Sequence, residues 1–163
     1  MSRLADAAEF VALEADLLDN RQFRDWLGLF MPEALYWVPV SPGQVDPDAA
    51  PSHLYEIRPL IDARVERLMA AKVIPQLPPS RTVRIVGPVR LVQDDAALFR
   101  VRAKFILVEA RILHEADDDD EQRVIAGEST YDLVETAAGL RMARKRVDLV
   151  NSEGGLRGLS VPL

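Results

Sequence analysis

The chain has no cysteine among its 163 residues. That absence excludes structural disulfides, cysteine-bearing zinc sites, thiolate nucleophiles and iron–sulfur clusters, all of which need at least one thiol. Histidine is nearly as scarce, with only His53 and His114. Cations are outnumbered, 20 Lys and Arg against 26 Asp and Glu, and the formal net charge of -6 repels a phosphate backbone, so nucleic acid is not the expected partner. No apolar run approaches the roughly 20 residues that span a bilayer, so no membrane partner is expected either. The first nine residues lack a basic stretch followed by an apolar one, and the expectation is a cytoplasmic protein. Phosphate-cradling glycine loops, a dinucleotide fingerprint and a nucleophile elbow are missing as well.

What is present is a globular composition, 48% hydrophobic and 28% charged, of a length that predicts one domain over 1–163 with a core large enough to need no metal or disulfide. Phe10, Val11, Leu13, Leu17 and Leu18 recur at helical spacing, as do Phe23, Trp26, Leu27 and Phe30. They predict helices within about 5–31, broken at Asp19-Asn20, which can stop one helix and cap the next, and ended by Pro32. Leu35 to Val40 is aromatic and β-branched but contains Pro39, which favours an edge strand. After a Pro-rich loop and a short strand at 53–57, Pro59 opens a third helix over about 59–71. A stiff Pro-rich link at 75–80 follows.

Sheet is expected over about 81–150. Val83 and Ile85 alternate with Arg84, and Gly87-Pro88 implies a bend before Val89 and Leu91. In the long strand at 98–114 the apolar positions are odd at first (Phe99, Val101, Ala103, Phe105, Leu107) and even later (Ile106, Val108, Ala110, Ile112). Either both faces are covered near 106–108 or a bulge shifts the pleat. Residues 123–134 and 140–150 complete a meander through Ala137-Ala138-Gly139, leaving a tail at 151–163. The pattern is α+β: a strongly curved antiparallel sheet wrapped around the helices.

Few residues point to chemistry. His53 and His114 are the only imidazoles for a two-histidine, one-carboxylate iron site, and their settings read instead as surface or half-buried side chains, so no metal is expected. The acidic run from Asp117 to Glu121 lacks the alternation and glycine of a calcium loop and reads as a solvated hairpin tip. Arg100, Arg102 and Lys104 form a basic stripe, either a solvated outer face or a docking surface for an acidic partner. Glu109 continues the inward parity; in an apolar cavity it can serve as a general base, whereas ordinarily it pairs with Arg111 on the same face. Leu156, Leu159, Val161 and Leu163 are apolar residues in a Gly-rich tail, expected to be ordered by contacts beyond the chain's own core.

Several strings together resemble the small (β) subunit of aromatic-ring-hydroxylating dioxygenases: Glu14-Ala15-Asp16-Leu17-Leu18-Asp19 leading to Trp26-Leu27-Gly28-Leu29-Phe30, Leu35-Tyr36-Trp37-Val38-Pro39-Val40, Ala63 to Leu68, Pro78-Pro79-Ser80-Arg81-Thr82 and Leu159-Ser160-Val161. The chain departs from the pattern at Gly87-Pro88-Val89 and near Ile74. The resemblance implies the cone-shaped fold shared with nuclear transport factor 2, ketosteroid isomerase and scytalone dehydratase. It also implies a non-catalytic role beside a large (α) subunit bearing a Rieske [2Fe–2S] centre and a mononuclear iron, in an assembly of three small and three large subunits, with a homotrimer of the small chain. A Rieske centre needs two Cys and two His, which this chain does not have. Partner contacts then fall to Arg100, Arg102, Lys104, Leu159 and Val161. The alternative is a stand-alone lyase or isomerase of the same fold, with Glu109 or His53 as base and Tyr36, Tyr55 or Tyr131 as donor, or a cone that binds a small ligand without catalysis.

Overall fold

The computed structural model describes residues 2–70, 78–111, 121–156 and 158–163. Two helices, α1 (Arg3–Asp19) and α2 (Phe23–Leu27), lead into strands β1 (Phe30–Pro39) and β2 (Ser52–Ile57), followed by α3 (Arg58–Met69) and strands β3 (Arg81–Val86), β4 (Arg90–Asp94), β5 (Phe99–Arg111), β6 (Glu121–Thr136) and β7 (Gly139–Leu149). His114, the acidic run over 117–120 and residues 75–77 of the Pro-rich link lie outside the described residues.

The strands form one curved, unclosed seven-stranded sheet in the order β2-β1-β7-β6-β5-β3, with β4 continuing beside β5 after β3. Helices α1 and α3 bury Phe10, Val11, Leu17, Ile61 and Val65 against its concave side. This is the α+β cone that the sequence predicts. Three details differ. Phe30 begins a strand rather than ending a helix: Gly28 caps α2, and the Leu29 carbonyl accepts from the Met142 amide at 2.7 Å. Phe30 keeps its helical-phase partner all the same, packing edge-on to Trp26 at 4.9 Å. Secondly, β1 is not an edge; it pairs antiparallel with β2 and parallel with β7, so the sheet is mixed. Its two prolines sit where pairing slips, Pro39 at the shift after Val38 and Pro32 within the shift between Phe30 and Leu35, which is how an inner strand accommodates residues without an N–H. Thirdly, Asp19 caps no helix: Gln22 stands at the N-cap of α2 with no side-chain cap bond, and Asp19 turns to the sheet instead.

Strand β5 resolves the parity conflict. Its register with β6 runs unbroken from Phe99↔Leu133 to Arg111↔Glu121, and every odd residue from Phe99 to Glu109 is buried. No bulge shifts the pleat. Among the described residues the even apolar ones face outward, with Ile106 exposed; Ile112 lies outside the described residues.

Candidate functional site

Two polar clusters occupy the concave side. At the centre of the cone, Lys145 Nζ lies 2.7 Å from Glu14 Oε1, which also accepts from Trp26 Nε1 at 2.9 Å. Helix α1 places Glu14 because it falls in phase with Phe10, Val11, Leu17 and Leu18, while β7 turns Lys145 inward with Val147 and Leu149. The Lys145 ammonium stands over the rings of Tyr131 and Tyr36, at 5.3 and 5.9 Å. The tail closes this centre from outside: the Leu163 amide donates to Tyr36 Oη at 2.9 Å, and the Leu163 carbonyl accepts from Lys145. Burial pushes the Lys145 ammonium down against the opposing pull of Glu14. Burial likewise pushes the Tyr36 and Tyr131 hydroxyls up, with Glu14 adding to both.

The second cluster latches the tail. Glu109 on β5 accepts from Ser80 Oγ at 2.6 Å, from Ser160 Oγ at 2.7 Å and from Arg123 Nε at 2.5 Å. Burial acts to raise its carboxyl, but the bonds from Ser80, Ser160 and Arg123 outweigh burial and hold it below the usual glutamate value. Close by, Asp19 accepts from Thr82 Oγ1 at 2.8 Å and from the Arg84 amide at 2.7 Å. The Arg84 guanidinium bridges Asp19 to the Pro162 carbonyl. Asp19, the Ser80-Arg81-Thr82 string and Leu159-Ser160-Val161, far apart in sequence, therefore meet around one latch.

Glu109 is thus paired as expected, but with Arg123 across the strand rather than with Arg111. A carboxylate held low, with both oxygens engaged, keeps its charge at neutral pH and is poorly matched to proton abstraction. The tail packs on its own chain, with Val161 and Leu163 buried in the core and Leu156 and Leu159 packed against it. Tyr36 and Tyr131 are brought together in the cone, but His53 and Tyr55 lie on the far edge strand β2, separated from Glu109 by three strands. His53 Nε2 contacts the Ser152 carbonyl at 2.6 Å, and Tyr55 packs on Trp37. No group of three or more His, Cys, Asp or Glu among the described residues is placed to hold a metal ion. No helix among them is long and apolar enough to cross a membrane.

On the outer face, Arg100 grips Asp132 through Nε at 2.5 Å and Nη2 at 2.9 Å, and Arg102 reaches Glu128 at 3.5 Å. Asp132 raises the Arg100 guanidinium accordingly. Lys104 has no ion-pair partner among the described residues. With Gly87, Pro88, Arg90, Arg102 and Glu128 it borders a cleft of about 480 Å³.

Comparison with known proteins gives these features a context. A profile of the ring hydroxylating beta subunit family matches residues 13–153. The chain is 32% identical over 110 residues to the N,N-dimethyl phenylurea N-demethylase subunit beta of Sphingobium sp. (strain YBL2), a match that spans 64% of this chain and 62% of that protein. It is 26% identical over 155 residues to the 2-halobenzoate 1,2-dioxygenase small subunit of Burkholderia cepacia, covering 92% of this chain and 90% of that one. The crystal structure of the beta subunit of benzoate 1,2-dioxygenase from Burkholderia mallei superimposes over 99% of both chains with a TM-score of 0.74 at 22% identity, which shows a shared fold. By the match over residues 13–153, the chain belongs to the ring hydroxylating beta subunit family.

Proposed function

We propose that this chain is the small subunit of a multicomponent ring-hydroxylating dioxygenase that acts in the degradation of aromatic compounds, a structural partner of an iron-bearing large subunit. In this reading it works in the cytoplasm, as three copies joined to three large subunits that carry a Rieske [2Fe–2S] centre and a mononuclear iron. The observation that carries the reading is the family match across residues 13–153. The interior supports it: the centre of the cone holds Glu14, Lys145, Trp26 and Tyr36, all fully buried, under the Leu163 cap. Residues of this chain do not fit the Rieske centre itself. A Rieske centre takes two Cys and two His, and the sequence offers no Cys.

The test is co-expression with a tagged Rieske-type large subunit encoded in the same genome. The expected result is co-purification in equal amounts, with iron following the large subunit and the small chain alone scattering as a species of three times 18.2 kDa. Failure to co-purify, or stoichiometric iron on the small chain alone, overturns the reading.

A further inference from the structure

Where the tail enters the cone, hydrogen-bond donors outrun acceptors. Arg84, whose side chain is 5% exposed, gives Nη1 to Asp19 and Thr82 and Nη2 to the Pro162 carbonyl, while its Nε is buried with no partner. Lys145 gives Nζ to Glu14 and to the Leu163 carbonyl, and the faces of Tyr36 and Tyr131 stand beside it. Burial pushes this ammonium down in spite of Glu14, and Arg84 is close enough to push it further, so two cations share a region that lacks compensating charge. Both carboxylates that meet them, Glu14 and Asp19, come from α1. The tail brings each cation a single carbonyl oxygen. The remainder of its seat is apolar, filled by the buried Val161 and Leu163, and Tyr36 Oη accepts from the Leu163 amide at 2.9 Å. The stem of the tail stands in open space, with nothing within 4 Å of a carbon added at Gly155 or Gly158.

We propose that the centre of the cone is a binding site for a small monocarboxylate with a branched aliphatic body, and that the tail sits in it as a built-in competitor. The inference goes beyond the role beside a large subunit and does not depend on it. A carboxylate has two oxygens with about four lone-pair sites and a full charge, so it answers Lys145 and Arg84, including the Arg84 Nε, better than two carbonyl oxygens do. The ligand's body takes the space of the Leu163 side chain. A site of this kind opens only when the tail lifts, and its apparent affinity is the intrinsic one reduced by the open fraction.

The probe is isocaproate, which carries the leucine side chain on a carboxylate. It is titrated into the full chain by calorimetry while hydrogen exchange is followed at the residue 163 amide. Wild type is compared with Leu163→Ala, which loosens the tail and leaves Lys145, Arg84 and Tyr36 in place; far-UV circular dichroism verifies the fold. Isocaproate is expected to bind the variant on the order of 10-fold more tightly than the wild type, the equivalent of about 1.4 kcal/mol in tail opening. It is expected to quicken exchange at residue 163 in both proteins as it displaces the tail. Isohexanol, with the same body and no charge, is expected to bind about 10-fold more weakly or less. Absence of binding to the folded variant, equal affinity for variant and wild type, or equal binding of the alcohol overturns the inference. So does binding that leaves exchange at residue 163 unchanged, because the ligand then sits elsewhere. If Leu163→Ala does not fold, the wild type decides: exchange at its Leu163 amide that quickens with isocaproate and not with isohexanol supports the site, and any other result overturns it. Co-purification with the large subunit is measured separately, so the proposed function stands or falls apart from these outcomes.

Discussion

Lys145 Nζ and Glu14 Oε1 stand 2.7 Å apart with both side chains only 2% exposed, an ion pair at the centre of the cone. Removing two charges from water is costly, and the pair persists because Trp26 donates to Glu14 and the Leu163 carbonyl accepts from Lys145. Breaking it from one side is expected to be severe: Lys145→Met or Glu14→Gln costs about 3 to 5 kcal/mol. Making these two changes together is expected to cost less than their sum, with a coupling of about 2 kcal/mol. Urea unfolding of the four proteins measures it, and strict additivity would show that the two side chains do not act as a pair.

Glu109 sets an acid limit. Because its folded carboxyl lies below the unfolded value, the unfolded chain binds the proton first as pH falls. Its contribution is therefore full above the ordinary glutamate range, near pH 4.3, and is lost as pH drops from there through the folded value. Glu109→Gln is expected to cost about 2 kcal/mol at pH 7 through the weakened bond from Arg123, and to flatten the acid limb of stability. Thermal melts from pH 7 to pH 3 check this; parallel curves for wild type and variant would remove Glu109 from the acid response.

Much of this was legible in the sequence, and the misreadings share a cause. Phe30 satisfies helical spacing and also begins a strand, because packing on Trp26 leaves the backbone free to pair with β7. Pro39 argues for an edge by local rules, yet a register shift lets β1 sit inside the sheet. Ile106 looked like a sign of a bulge because parity alone does not say whether an apolar residue is covered. Of the two clusters, Glu109 was marked by its inward parity, and Glu14 carried an unused signal of the same kind, a charge in the apolar phase of α1. Arg123 and Arg84 carried none, since only the fold brings them to Glu109 and Asp19.

Gly127 marks the tightest strand approach. A Cβ there would lie 2.3 Å from the Asp148 carbonyl oxygen, so β6 and β7 would have to part. Gly127→Ala is expected to destabilise by about 3 kcal/mol, the upper range for overpacking. Gly155→Ala, with nothing within 4 Å of the added carbon, serves as the control and should stay within about 0.5 kcal/mol. Equal melting temperatures for the two variants would contradict the close packing of β6 on β7.

Arg84 ties the tail to the rest of the molecule. Its side chain is 5% exposed and spans from Asp19 at the end of α1 to the Pro162 carbonyl, next to the buried Val161 and Leu163. Arg84→Met keeps the aliphatic stem but removes every donor, leaving Asp19 with the Thr82 hydroxyl and the residue 84 amide. Loss of charge-assisted bonds of this kind is worth about 1.5 to 3 kcal/mol, and the loss falls on opening of the tail because the strands on either side keep their own ladders. Hydrogen exchange reads this directly at the Leu163 amide, which donates to Tyr36. Its exchange is expected to quicken by about 10-fold or more, by the equivalence of 1.4 kcal/mol to a factor of ten, while the amides of β5 and β6 stay protected. Unchanged exchange at Leu163 would mean that burial of Val161 and Leu163 alone holds the tail. In that case Val161→Ala, rather than Arg84→Met, would be the variant that frees it, since a fully buried valine contributes about 1.5 to 3 kcal/mol by itself.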